Sequence, residues 1–479
     1  MTTTEAPPKQ PAPTKAAGAG IALVLVAQLM IVLDSAVVNV ALPRIADDLE
    51  FTPAALTWVL NGYTLAFGGL LLLGGRLGDV FGRRRTFVAG LTVFTFFSLA
   101  GGLAPTDDLL VISRALQGFG AAIAAPQVLA LLTTSAKDES ARARAIALFA
   151  AVSSSGASIG LILGGVLTDI ASWRWTLFIN VPIGLVVLAL VGRLVAETAP
   201  RPGRFDVIGA VTATGGAAAI VWSLIGAPEH GWTSARTIGG IAIGLLLLVA
   251  LVLTERRVAH PLLQLHLFNS HRRVTAYVAA IGLVGAQFST FYLTVIYLQG
   301  ALGMGPLASG LAFLPLTLMI FAMSRVAPRL AARIGMPGVL VLGATGLTGS
   351  FLWLSLLTET STYAGAVLVP FLLNGAFASL VFTSTTALGL EGVDAAHAGA
   401  ASGLVQTMQQ LGGSIGLAVI ASVYVANGTP GEVVPGLREA FYAAAALGSI
   451  GIIASLVLVL RRPSRGRSYV TGRAAVEVD

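Results

Sequence analysis

Two side chains stand where their types are costly and could do chemistry. Asp34, in LDSAVVNVALP, interrupts an apolar run from Ala17 to Leu42, and Arg114, in LLVISRALQGFGAA, interrupts another. A charge near the middle of a bilayer costs roughly 2.5–3.5 kcal/mol even on lenient insertion scales, so it faces a cavity or a partner. At 100° per residue Gln28, Ser35 and Asn39 form one polar stripe on the Asp34 helix, with Asp34 at its edge. At 1.5 Å per residue Asp34 lies about 13 Å in from Pro43, and Arg114 about 9 Å in from Asp108. The two therefore occupy similar depths. One reading is a permanent ion pair that holds helices together. The other is a carboxylate that takes up and releases a proton as a cavity alternates, with Arg114 assisting.

The elements that must position these groups follow from composition. Of 479 residues 56% are hydrophobic and only 11% charged, against about 25% charged in soluble domains. Mean hydropathy is +0.85. The 56 glycines suit close packing of membrane helices. The net charge of +7 is scattered singly between apolar runs, which argues against a nucleic-acid partner. With no Cys there is neither a disulfide framework nor a thiolate metal site. The polar, Pro-rich start, MTTTEAPPKQPAPTKA, lacks the pattern of a cleavable signal, so the first span is expected to serve as the insertion signal.

Runs of about 20 apolar residues cross a bilayer as helices. Fourteen occur: 17–42, 55–75, 86–104, 108–134, 143–168, 175–195, 206–226, 237–254, 274–299, 307–326, 337–357, 362–388, 398–426 and 439–460. With both termini placed in the cytoplasm, cytoplasmic segments collect 24 of the 29 Lys and Arg, as the positive-inside rule requires. A faint repeat supports two bundles. Leu77 precedes Gly82 in the loop after span 2 as Leu330 precedes Gly335 in the loop after span 10, with Ala332 where Asp79 stands in the first. The expected fold is an all-α membrane protein of 14 transmembrane helices, two six-helix bundles plus two inserted central helices. Its parts are a tail at 1–16, a bundle at 17–200, inserted helices at 201–258, a bundle at 259–461 and a tail at 462–479. Repeated bundles place a substrate site at their interface.

Other motifs refine this. In GRLGDVFGRRR, Gly75 to Arg85, Gly78 and Gly82 permit a sharp turn and Asp79 can accept hydrogen bonds at a helix N-terminus. In GASIGLILGG, Gly156, Gly160 and Gly164 recur every four residues as a smooth ridge. WRWTLFINVPIG sets aromatics at an interface, and GAASGLVQTMQQLGGSIG enriches span 13 in small and amide side chains.

GRLGDVFGRRR is similar to the loop signature GxLaDrxGRk of the major facilitator superfamily, and SRALQGFGAA to its span 4 signature RxxqGxg. LDSAVVNVALP, WRWTLFINVPIG and the fourteen runs resemble that superfamily's fourteen-helix drug:proton antiporter branch. The resemblance implies a proton-coupling acid in span 1, export by alternating access, and a cytoplasmic latch between bundles formed by Gly75, Gly78, Asp79, Gly82 and Arg83. The branch's span 5 signature gxxxGPxxGG matches at Gly156, Gly160, Gly164 and Gly165 but carries Leu161 at the proline. That departure keeps a proton-coupled importer as the alternative.

Cavity candidates are Gln28, Ser35, Asn39 and Gln117 in the first bundle, and Gln287, Tyr292, Tyr297, Asn374, Gln406 and Gln410 in the second, with Gln409 beside them. Each could equally be an interhelical hydrogen-bond partner. His260, His266 and His271 fit no common metal-ligand spacing. GASIG satisfies the GxSxG pattern of a hydrolase at Ser158, and GATGLTG resembles a dinucleotide-binding glycine set, but both lie within apolar helical runs. The expectation is a monomeric multidrug and antibiotic efflux transporter of the cell membrane. It would exchange protons for small lipophilic solutes, cations included, with neither cofactor nor metal.

Overall fold

The computed structural model describes residues 15–134, 139–198, 206–258, 261, 263–394, 397–429 and 432–460. His260, Lys137, Arg201, Arg204 and most of the two tails lie outside the described residues. Apolar chain in a bilayer must satisfy its backbone internally, and helices do so. Sixteen α-helices form among the described residues, with no strand. They are α1 (Lys15–Asp48), α2 (Pro53–Leu56), α3 (Trp58–Phe81), α4 (Arg83–Gly102), α5 (Asp107–Thr134), α6 (Glu139–Ile170), α7 (Trp175–Phe178) and α8 (Asn180–Leu194). There follow α9 (Val207–His230), α10 (Ala235–Glu255), α11 (His271–Ile296), α12 (Pro306–Ala312), α13 (Leu314–Leu354), α14 (Leu368–Gly389), α15 (Ala398–Asn427) and α16 (Leu437–Leu460).

Thirteen segments among the described residues are long and apolar enough to cross a membrane. The sequence predicts separate spans at 307–326 and 337–357 joined by a loop bearing Arg329 and Arg333. Instead, helix continues through Ile334 and breaks only at Gly335, whose φ of 74° is open to glycine and strained for other residues. The arginines are therefore helical. Gly82, φ 97°, makes the same one-residue break between α3 and α4. These are the two glycines paired by the sequence repeat.

Lipid offers no hydrophobic drive between helices, so close approach through small residues carries the packing. The glycine ridge of α6 lies on α1: a Cβ at Gly156 would meet Val32, one at Gly160 Ala36 and Leu33, and one at Gly164 the Val37 carbonyl. The ridge therefore brackets Asp34. Leu161, at the signature's proline position, is buried where Gly310 of α12 packs on its carbonyl, and α6 runs past it unbroken. Helices α1, α3–α6 and α8 pack on one another, as do α11 and α13–α16; α9 and α10 pair, with α9 on the seam of α3 and α15. Along that seam Thr64 Oγ1 and Ser414 Oγ lie 2.6 Å apart, Gly68 abuts Gln410, and Gly403 abuts Leu72. At the Asp48 end the two sets also join through Tyr292, whose hydroxyl donates to the Pro53 carbonyl, and Gln299, which donates to the Val40 carbonyl at 2.8 Å.

Candidate functional site

Asp34 is fully buried, with 0% of its surface exposed, and Arg114 retains 1%. Arg114 Nη1 donates to Asp34 Oδ2 at 2.6 Å. The other carboxylate oxygen, Oδ1, accepts from Gln117 Nε2 at 2.7 Å and from Asn180 Nδ2 at 2.8 Å. Arg114 Nη1 also donates to Gln117 Oε1 at 2.6 Å, Arg114 Nε to the Val59 carbonyl at 3.1 Å, and Gln117 Nε2 to Ser98 Oγ at 2.7 Å. The guanidinium lies 4.4 Å over the Tyr63 ring. One carboxylate thus gathers groups from α1, α3, α4, α5 and α8.

Local sequence explains how these groups meet. Arg114 and Gln117 are three apart on α5 and share a face. Gly118 lets α5 press onto α3, since a Cβ there would collide with the Tyr63 backbone, and Gly120 does the same against α4 at Phe94. Replacing Gly118 by Ala is expected to cost about 1–3 kcal/mol through overpacking. Thermal unfolding in detergent checks this, with Gly192→Ala as the control because a Cβ there meets nothing within 4 Å; equal midpoints for the two variants would contradict it.

Charge state follows from donor geometry. Three N–H donors converge on the Asp34 carboxylate, so this arrangement fits the ionised form, which accepts only. These donors leave one lone pair free, on Oδ2; a proton there would cancel the charge that Arg114 meets at 2.6 Å and so weaken that bond.

The sequence matches the Major Facilitator Superfamily over residues 24–417. The chain belongs to that superfamily. It is 39% identical over 466 residues to the cephamycin export protein of Amycolatopsis lactamdurans, spanning 96% of this chain and 95% of that protein. It is 38% identical over 479 residues to the puromycin resistance protein of Streptomyces alboniger, spanning 95% and 94%. A solved transporter of the POT family shares the fold at a TM-score of 0.68 and 14% identity, over 95% of this chain and 98% of that one. The relatives are named for export and resistance rather than for an enzymatic activity, and the hydrolase pattern at Ser158 lies within the uninterrupted helix α6 rather than at a strand-to-helix turn. GATGLTG likewise lies within α13, where Gly343 packs on Leu380 and Val381.

In this major facilitator fold the remaining predicted residues divide by surroundings. Ser35 is exposed and Asn39 half-buried; their side chains donate to carbonyls of α1 itself. Gln28 is buried and donates to Ser153 Oγ of α6 at 3.1 Å. Gln406 is exposed, Gln410 half-buried against Gly68, and Gln409 within 3.5 Å of Thr386 Oγ1. Gln287 and Asn374 are buried and joined, Gln287 Nε2 donating to Asn374 Oδ1 at 2.8 Å and Asn374 Nδ2 to Ser350 Oγ at 3.0 Å. Tyr292 and Tyr297 are buried, Tyr297 donating to the Thr358 carbonyl at 2.8 Å.

Ser350, Asn374 and Gln287 stand on α13, α14 and α11 as Ser98, Gln117 and Asp34 stand on α4, α5 and α1. Asp34 and Gln287 are 253 residues apart, the same separation as Gly82 and Gly335. The second set of helices therefore repeats the polar triad with a neutral amide in place of the acid.

In the loop signature, Asp79 Oδ1 accepts from Arg83 Nη2 at 3.3 Å. Gly78 admits Gln127, whose Nε2 donates to the Gly74 carbonyl at 2.7 Å; Gly74 itself lies against the Ala122 backbone, while Gly75 has only Pro126 nearby. Glu197, which the sequence reading missed, accepts from the backbone N–H of Arg84 and of Arg85 at 3.0 Å each, and Thr198 Oγ1 accepts from that of Arg83. A carboxylate thus occupies the positive end of α4. Removing it by Glu197→Ala is expected to lower stability by about 1 kcal/mol; faster amide exchange confined to the first turn of α4 is the signature, and unchanged exchange there would contradict it.

Proposed function

We propose that this chain is a proton-coupled antiporter that exports small lipophilic compounds, antibiotics among them. The observation that carries the proposal is the fully buried Asp34, held by three donors from α5 and α8, whose charge-assisted bond to Arg114 would weaken when it takes a proton. The names of relatives, which concern cephamycin export and puromycin resistance, favour outward transport of such compounds. In the proposed cycle Asp34 takes a proton from the outer side and Arg114 is released from it. The freed guanidinium would be left with the bonds it already makes to Gln117 and the Val59 carbonyl while the helices re-pack. Proton loss to the cytoplasm restores the ion pair. One charge crossing 100 mV supplies about 2.3 kcal/mol per cycle.

The same reading takes fourteen spans, with Pro306–Leu354 counted as two across Gly335. Six-helix bundles at 17–200 and 259–461 would rock about the seam, with 201–258 inserted beside it. Both termini would be cytoplasmic in the cell membrane and the monomer would suffice. Gly75, Gly78, Asp79, Gly82 and Arg83 would form a cytoplasmic switch, with the glycine ridge of α6 as the sliding surface against α1. Transport into membrane vesicles tests direction. Dye accumulation driven by an inward-acid gradient in inverted vesicles is expected, whereas proton-driven accumulation only in right-side-out vesicles would establish import instead.

A further inference from the structure

Helix α13 carries Arg325, Arg329 and Arg333 at four-residue intervals and no acid. Arg325 lies ten residues before the break at Gly335, about 15 Å along the helix. It is exposed, and it forms no ion pair with any Asp or Glu whose side chain is described. Side chains lean toward the N-terminus of their helix, and the Arg325 guanidinium lies 3.9 Å over the ring of Phe321, one turn farther from the Gly335 end. A lipid-facing arginine snorkels toward the nearer aqueous surface; this one points the other way.

Its side of the helix is fixed by its neighbours. Ala327, with Met323 and Leu330, packs on Leu380 and Phe377 of α14. Pro306, Leu307 and Gly310 of the same span face α6, at Gly165 and Leu161. Continued at 100° per residue, that second side carries Phe321 and Arg325; the antiparallel register of those contacts carries α6 to the level of Arg325 at Ile146 and Leu148, both exposed. A cation on an aromatic ring thus stands on the side of α13 that continues the α6-facing side of the span, one turn from Arg329.

We propose that Arg325, seated on Phe321 and backed by Arg329, binds the anionic group of an amphiphile, its carboxylate or phosphate on the guanidinium and its apolar body along Phe321. The efflux reading enters only in taking that amphiphile to be cargo, so the test measures binding without transport. Fluorescein, an amphiphilic carboxylate, and ethidium, an amphiphilic cation, are titrated by anisotropy onto the full chain in nanodiscs of phosphatidylcholine, with and without phosphatidylglycerol. A charge-assisted contact of this kind predicts that Arg325→Gln weakens fluorescein binding about ten-fold or more. Arg325→Lys should recover part of the loss, and ethidium should bind no more weakly. If phosphatidylglycerol weakens fluorescein binding in the wild type but not in Arg325→Gln, lipid headgroups also occupy the site; if it has no effect, the site is selective for soluble anions. Fluorescein binding unchanged by Arg325→Gln, or an equal loss for both dyes, overturns the proposal.

Discussion

Asp34→Asn is expected to abolish proton-driven export, with accumulation in inverted vesicles falling to the level of membranes lacking the protein at every pH. An amide cannot gain or lose a proton in this range, so a cycle built on Asp34 has no carrier. The variant also leaves Arg114 buried without its counter-charge, which by itself destabilises the fold. Loss of transport alone would therefore not separate coupling from folding. The double variant Asp34→Asn/Arg114→Gln removes both charges together and should fold better than the single one, yet remain uncoupled. Protons released on substrate addition, followed with a trapped pH dye, should be absent in both. The proton-carrier reading would fail if either variant kept pH-dependent export, for the acid would then be structural only.

Much of this site was legible because charge inside an apolar run is conspicuous. Counting residues from span ends placed Asp34 and Arg114 at similar depths, and they do pair. Asn180 and Ser98 were not found, although Asn180 lies inside the quoted WRWTLFINVPIG, because neutral polar side chains occur in many spans and only tertiary contact shows which ones converge. Tyr63 was missed for the same reason: its ring is distinguished only by the guanidinium above it. In the second set of helices the sequence pattern marked Gln287 and Asn374 as polar but could not say that they bond to each other. The repeat in loop glycines was visible. Its extension to a buried triad needed the coordinates, since Gln117 and Asn374 are 257 residues apart rather than 253. The loop at Arg329 and Arg333 was misplaced because charged residues read as loop, whereas helix persists until a residue with positive φ ends it.

Arg114→Gln should be the most destabilising single change in the site. It strands the Asp34 carboxylate, which retains only the Gln117 and Asn180 donors, at 0% exposure. Breaking a buried pair from one side typically costs about 3–5 kcal/mol, whereas removing both charges is often nearly neutral. A double-mutant cycle isolates the difference, with Asp34→Asn and Arg114→Gln singly and together, read as thermal midpoints in one detergent. The double variant should unfold at a higher temperature than either single variant. Arg114→Lys supplies the control for shape. It keeps the charge near Asp34 but loses the planar fork that reaches Asp34, Gln117 and the Val59 carbonyl at once and stacks on Tyr63. It should therefore fold better than Arg114→Gln yet transport poorly, because in the proposed cycle Gln117 and the Val59 carbonyl must hold the guanidinium when the proton releases it from the carboxylate. Additive effects across the cycle would mean that the pair contributes little as a pair. Full transport by Arg114→Lys would mean that charge alone, without the fork, suffices to release and recapture Asp34.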